Sequence, residues 1–171
     1  MVFRKPYMFI FLFFVCFSCS TGRITPHQQD CGSITSDEFL SHPFFSELKL
    51  KDFREQYGEE FKLKKFRRNL NERNNTIDTI YQYIRGDNAF IFYAAGRSGG
   101  ASFLTLKVAD DRIELDNCVR IGMDRSHLEK LISDFPKESK DTVKIDNGNR
   151  QGVFIFKESQ LRKVYINNYY K

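Results

Sequence analysis

Apolar and polar residues alternate along most of the chain after residue 76, which is typical of half-buried β-strands. The alternation predicts strands at Ile77–Arg85, Ala89–Ala95, Ser102–Ala109, Arg112–Ile121, Thr142–Asp146, Val153–Lys157 and Leu161–Ile166. Turn-forming sequences such as Gly86-Asp87-Asn88 and Asp110-Asp111 separate neighbouring strands, so antiparallel hairpins are expected.

Helical spacing appears at three places between and before these strands. Thr35-x-x-Glu38 and Asp52-x-x-Glu55 are capping-box patterns that predict short helices. After Gly122, a helix capped by Asp124 would carry an apolar face of Leu128, Leu131, Ile132 and Phe135, and Pro136 would end it. The order predicts an α+β fold, an antiparallel sheet with helices packed on one face, in two helix-plus-β-meander units at 36–121 and 122–171.

The first twenty residues have the order of a bacterial signal peptide. Arg4 and Lys5 precede the apolar run Met8–Phe17, which is too short to span a bilayer as a mature helix. The following V-C-F-S-C-S resembles the lipobox of bacterial lipoproteins, in the looser form of the Bacteroidetes group. The resemblance implies that residues 1–18 are removed and that Cys19 is lipidated. The alternative is an ordinary signal peptide with Cys19 incidental.

On the lipoprotein interpretation, residues 19–35 would be a tether and residues 36–171 a single α+β domain. The lipid would anchor the protein to a bacterial membrane. We expect this to be the outer membrane, with the domain facing the periplasm or the cell surface. Cys31 and Cys118 would then be the remaining cysteines. In an oxidising compartment the two can pair, and two unrelated free thiols are the alternative.

Charge and motifs exclude several classes of function. The net charge of +5 falls to +3 without Arg4 and Lys5, which is too little to indicate nucleic-acid binding. The basic run Lys62–Arg68 could meet anionic lipid headgroups, but a solvated surface is the favoured interpretation. The histidines have no metal-ligand spacing, and no cofactor motif is present.

One pattern bears on catalysis. Gly96-Arg97-Ser98-Gly99-Gly100 fits G-x-S-x-G, which marks a nucleophile only where a strand, a sharp turn and a helix follow one another. The alternating sequence after it predicts a strand instead. A hydrolase using Ser98 is therefore the least favoured hypothesis, and we expect no enzymatic activity.

The segment Ile121–Leu131, I-G-M-D-x-x-x-L-x-x-L, is similar to the corresponding segment of BamE-like lipoprotein domains. The helix-plus-sheet order also resembles the tandem modules of β-lactamase-inhibitor-like proteins. Both resemblances imply a non-enzymatic envelope scaffold or partner-binding lipoprotein, with an envelope protein as its partner. The alternative is a lipoprotein that binds a ligand or glycan on its sheet.

Alternation also assigns the two faces of the sheet. The aliphatic residues should point inward: Ile80, Ile84, Leu104, Leu106, Val108, Ile113, Leu115, Val143, Ile145, Val164 and Ile166. The opposite face would then carry Tyr81, Tyr83, Phe103, Lys107, Arg120, Lys144 and Tyr165. Aromatic residues between cations are enriched at binding hot spots, so this face is the predicted partner site. Alternatively, these rings only stabilise the sheet through cross-strand contacts. A register slip of one residue would exchange the faces.

Overall fold

A computed structural model describes residues 31–44, 49–71, 76–96, 100–113 and 115–169. The strands are β1 (Lys62–Asn71), β2 (Thr76–Arg85), β3 (Asn88–Ala94), β4 (Ala101–Val108), β5 (Thr142–Asp146), β6 (Arg150–Lys157) and β7 (Gln160–Asn168). The helices are α1 (Ser36–Ser41), α2 (Leu50–Tyr57), α3 (Arg125–Leu131) and a 3-10 turn at Asp116–Cys118. Cys19, the signal peptide, most of the tether and Ser98 lie outside the described residues.

The seven strands form one antiparallel sheet in the order β1-β2-β3-β4-β7-β6-β5. Strands β1 to β4 follow one another as a meander, and β5 to β7 form a second meander. β4 pairs with β7, so the sheet continues without a break across the expected unit boundary at residues 121 and 122.

The expected α+β fold, with helices packed on one face in two helix-plus-meander units, is wrong. The described chain is mostly one antiparallel sheet, and its α-helices have only six, eight and seven residues. The apolar spacing after Gly122 predicted a helix as far as Phe135, but α3 ends at Leu131. Ile132 instead bridges to Ile34, and the Phe135 ring packs against Phe154 from a non-helical segment.

Two further assignments differ from the sequence prediction. β1 was interpreted as a charged surface run, because lysines occupy both of its faces and hide the alternation. β1 is a sheet edge, where lysines are commonly found because they discourage pairing with other chains. Arg112–Ile121 was expected to be a strand. Ile113, Leu115 and Val119 are buried, but Asn117 and Cys118 have φ of 52° and 60°, which breaks the extended backbone.

The core lies on one face of the sheet, which we call the covered face. Residues 31–44, 49–61, 109–113 and 115–136 contribute side chains that pack on it. Phe53 of α2 is fully buried and has ring contacts with Tyr83, Phe90 and Phe92 at centroid distances of 4.5 to 5.4 Å. One continuous set of buried apolar residues runs from this aromatic cluster to β5 and β6.

The first described residues are attached to the segments that pack on the covered face. Cys31 and Cys118 form a disulfide, with their Cα atoms 5.9 Å apart. Three residues later, the Ile34 N–H donates to the Leu131 carbonyl at 2.8 Å, and the Ser133 N–H donates to the Ile34 carbonyl at 2.8 Å. The segment before α1 is therefore fixed both to the 3-10 turn and to the end of α3.

Candidate functional site

We call the face opposite the covered face the open face. Two adjacent rows of register partners, each running across the strands, show how the two faces differ. The core row is Leu63, Tyr83, Phe90, Leu106, Ile166, Gly152 and Ile145. The open row is Lys62, Ile84, Ala89, Lys107, Tyr165, Val153 and Lys144. Each residue is the register partner of the next, so both rows cross all seven strands. From Tyr83 to Ile145 the core row is buried, whereas the open row is half-buried or exposed.

The structure divides the predicted binding residues between the two faces. Tyr83 is only 2% exposed and Phe103 is buried, both on the covered face, and Tyr81 is half-buried beside them. The Tyr83 hydroxyl accepts a hydrogen bond from Arg54 Nε at 2.6 Å. These three rings are not part of the open face, so the predicted set does not form one surface.

The faces of β2 are therefore the reverse of those expected. β2 is apolar on both faces, with isoleucines on one and tyrosines on the other, so alternation cannot decide between them. The tyrosines turn inward because the aromatic cluster around Phe53 receives them. Ile80 and Ile84 lie on the open face, and Ile80 is 37% exposed.

Lys107 and Tyr165 do meet on the open face, as register partners on β4 and β7. The Lys107 ammonium lies 5.7 Å from the centroid of the Tyr165 ring. Asp87, in the β2–β3 turn, lies 2.7 Å from Lys163 Nζ and 3.8 Å from Lys107 Nζ. The hydrogen bond from Lys163, with the charge of Lys107, lowers the pKa of Asp87. The two lysines are therefore held in place beside the aromatic ring.

The other two predicted cations have different positions. Lys144 is exposed on β5 and ends the open row. Arg120 is also exposed, but it lies between the 3-10 turn and Gly122 and is not on the sheet. Sequence analysis missed the aliphatic members of the surface, because Ile84 was assigned to the inward face and Val153 was assigned to neither face. The signal that could have found them was the two-sided apolar pattern of β2.

Aliphatic residues lie on the open face on either side of the central strands β4 and β7, which carry Lys107 and Tyr165. Ile84, Ile91, Val153 and Ile155 are half-buried and do not belong to the buried core. On the adjoining β1 edge, Phe66 is 53% exposed. In the described part of the chain, Lys62 and Lys64, which lie on the open side of this edge, have no acidic partner. The surface thus combines aliphatic residues with cations, both in its middle and at its border.

No arrangement for catalysis or metal binding is seen in the described ranges. The segment that resumes at Gly100 leads into strand β4, whereas a nucleophile elbow would lead into a helix. His127 is exposed on α3. The described residues contain no group of three or more His, Cys, Asp or Glu side chains able to hold a metal ion.

Two further observations concern the class of protein. Within the described ranges, every helix is too short or too polar to cross a membrane. The resemblance to BamE-like lipoproteins stays a prediction, since no comparison supports it. Comparison of the chain with protein-family models, curated proteins and solved structures finds no match.

Proposed function

We propose that this protein is a non-enzymatic, lipid-anchored envelope protein that binds a partner protein through its open face. The observation that supports this most strongly is the open row. It places the aliphatic residues Ile84 and Val153 on either side of the central pair Lys107 and Tyr165, and it ends in Lys62 at one edge of the sheet and Lys144 at the other. The uncovered face of an antiparallel sheet normally carries mainly polar residues, so aliphatic and aromatic residues interleaved with lysines there are what a partner-binding surface would show.

The chemistry of the surface also suggests which kind of partner would fit. Burying apolar area contributes about 25 cal/mol per Å², and carboxylates on the partner would meet the bordering lysines. We therefore assign a protein with an apolar patch bordered by acidic residues. A second copy of this chain fits less well, because a self-complementary contact would bring lysine borders towards lysine borders.

The N-terminal sequence supports a location near the membrane. If Cys19 carries lipid, the twelve residues to Cys31 reach at most about 40 Å when fully extended. The domain would stay close to the bilayer and meet partners in the same envelope compartment. The Cys31–Cys118 disulfide agrees with this, since such bonds persist in oxidising compartments.

Metabolic labelling tests the anchor. Labelled palmitate should enter the wild-type protein and should not enter Cys19→Ala, because Cys19 follows the apolar run with the small residue Ser18 before it. Cys16→Ala is the matched control and should keep the label, since Cys16 belongs to the removed segment. Equal labelling of Cys19→Ala and wild type would remove the argument for a lipid anchor.

In-cell crosslinking of the wild-type protein, followed by identification of what co-purifies, tests the partner. A stable protein partner is expected. Recovery of a polysaccharide, or of nothing, would contradict protein binding and favour the ligand-binding alternative.

A further inference from the structure

A cleft of about 1140 Å³ lies at one end of the sheet, on a different part of the molecule from the open row. The pairing of β4 with β7 stops at Thr105 and Asn167, so the beginning of β4 has no strand partner on that side within the described chain. Residues from the end of α1, the start of α2 and the ends of β4, β6 and β7 line the opening. Its volume suits a ligand larger than a single small ion.

The described residues that line this cleft carry more positive than negative charge. They include Lys49, Lys51, Arg54 and Arg150, and the one carboxylate among them, Glu55, forms an exposed ion pair with Lys51 at 3.8 Å. An excess of one charge inside a concave surface concentrates ligands of the opposite charge. The cleft therefore favours an anion.

Both arginines are held in position before any ligand arrives. Arg54 donates to the Tyr83 hydroxyl at 2.6 Å, and its guanidinium lies 5.0 Å from the centroid of the Tyr81 ring. Arg150 donates to the carbonyls of Leu40 and Ser41, each at 2.7 Å. Groups that are already ordered lose less conformational entropy on binding, which increases affinity.

The start of α2 adds to the positive electrostatic potential of the cleft. Leu50 and Lys51, its first two residues, line the cleft, and the N-cap residue Lys49 makes no side-chain capping bond. The first turn of a helix presents backbone N–H groups and a partial positive charge, and both favour an anion. This supplements the side-chain cations and would not indicate a site alone.

One residue that lines the cleft, Asn168, has a side-chain acceptor without a hydrogen-bond partner in the described chain. Asn168 donates from Nδ2 to the Phe103 carbonyl, while its Oδ1 is buried and has no hydrogen-bond partner in the described chain. A buried acceptor without a partner is costly, so a ligand that supplies an O–H or N–H group would be stabilised there. The apolar lining from Phe44 and Ala101 can receive the less polar face of a sugar or cyclitol ring.

We propose that this cleft binds an anionic polyol, meaning a hydroxyl-rich ring that carries carboxylate or phosphate groups. The arginines and lysines recognise the anionic groups, and Asn168 Oδ1 accepts from a ring hydroxyl. The site is separate from the open face, and its ligand is additional to the protein partner.

Calorimetric titration of the full-length protein in non-ionic detergent tests this inference. Tetragalacturonate is the carboxylate probe, inositol hexakisphosphate is the phosphate probe, and maltotetraose is the neutral control. At least one anionic probe should bind with a dissociation constant below about 1 mM, at least about tenfold tighter than maltotetraose. Which of the two binds shows whether the anionic group is a carboxylate or a phosphate.

The variant Lys51→Glu reverses one charge on an exposed lining residue and should weaken that binding by about tenfold. Lys137→Glu makes the same change at an exposed residue outside the cleft and should stay within about twofold. A second variant, Ser102→Glu, adds a carboxylate to the lining and should also weaken binding. The inference is overturned if neither anionic probe binds, or if Lys51→Glu and Lys137→Glu behave alike.

Discussion

The core row and the open row are neighbours in sequence at every strand, yet they have opposite environments. Phe90 and Gly152 are buried under α1 and α2, whereas Ile91 and Val153 are half-exposed on the other side. Hydropathy alone does not account for this at β2, β3 and β6, where both rows carry apolar residues or glycine. What differs is the covering layer: in the described part of the chain, aromatic and aliphatic side chains from residues 31–44, 49–61, 109–113 and 115–136 pack on the covered face.

The comparison shows that the sequence of a strand alone does not always decide which of its faces becomes buried. A strand with apolar residues on both sides fits either face, and the elements that pack on it decide which becomes the core. The other side then remains as a surface of aliphatic residues and lysines, with Lys107 in the middle of the open row and a lysine at each end. The contrast predicts that equal changes in the two rows have unequal effects on stability.

The largest expected effect comes from adjacent residues of β3. Phe90→Ala removes a fully buried ring that contacts Phe44, Phe53 and Phe61, and should lower the free energy of unfolding by roughly 3–5 kcal/mol. Ile91→Ala is the matched control on the open face and should cost about 1 kcal/mol. Denaturant titration of both variants measures the difference. Equal losses would show that the open face is covered as well.

A smaller effect is expected at the next matched pair, on β6. A Cβ atom at Gly152 would lie 2.9 Å from Leu40 Cδ2 and 3.0 Å from Ile145 Cγ1, so α1 approaches the sheet here because no side chain intervenes. Gly152→Ala should lower the free energy of unfolding by about 1–3 kcal/mol.

Its neighbour provides the control. Val153→Thr keeps the branched shape on the open face and should change the free energy by no more than about 0.5 kcal/mol. Thermal unfolding of the two variants makes the comparison. A Gly152→Ala protein as stable as wild type would mean that α1 does not pack closely on β6.

Sequence analysis predicted six of the seven strands, but it missed β1, placed an extra strand at Arg112–Ile121 and gave too little weight to the sheet. The predicted strand Thr142–Asp146 coincides with β5, and Ile77–Arg85 differs from β2 by one residue. These strands have clear alternation and good turn residues at their ends. β1 was missed because its lysines hide the pattern, and the helix after Gly122 was predicted too long because residues of an irregular core segment happened to follow helical spacing.

The candidate site was predicted only in part, for a physical reason. Lys107 and Tyr165 were assigned correctly because β4 and β7 have buried aliphatic residues on only one face where they pair. Tyr81 and Tyr83 were assigned to the wrong face because the choice depends on Phe53, which belongs to a distant helix. The cleft could not be predicted, because it forms where β4 and β7 stop pairing and the sequence does not show where that pairing stops.

The central claim is that the open face is the surface that meets an envelope protein. Photo-crosslinking in cells tests it most directly, with a photoreactive phenylalanine placed singly at Ile84, at Val153 or at Lys130 in the full-length protein. Lys130 is exposed on α3, on the covered side, and serves as the control position. The account predicts one protein adduct of the same mass from Ile84 and Val153, and none from Lys130. No adduct from either open-face position, or an equal adduct from Lys130, would contradict it.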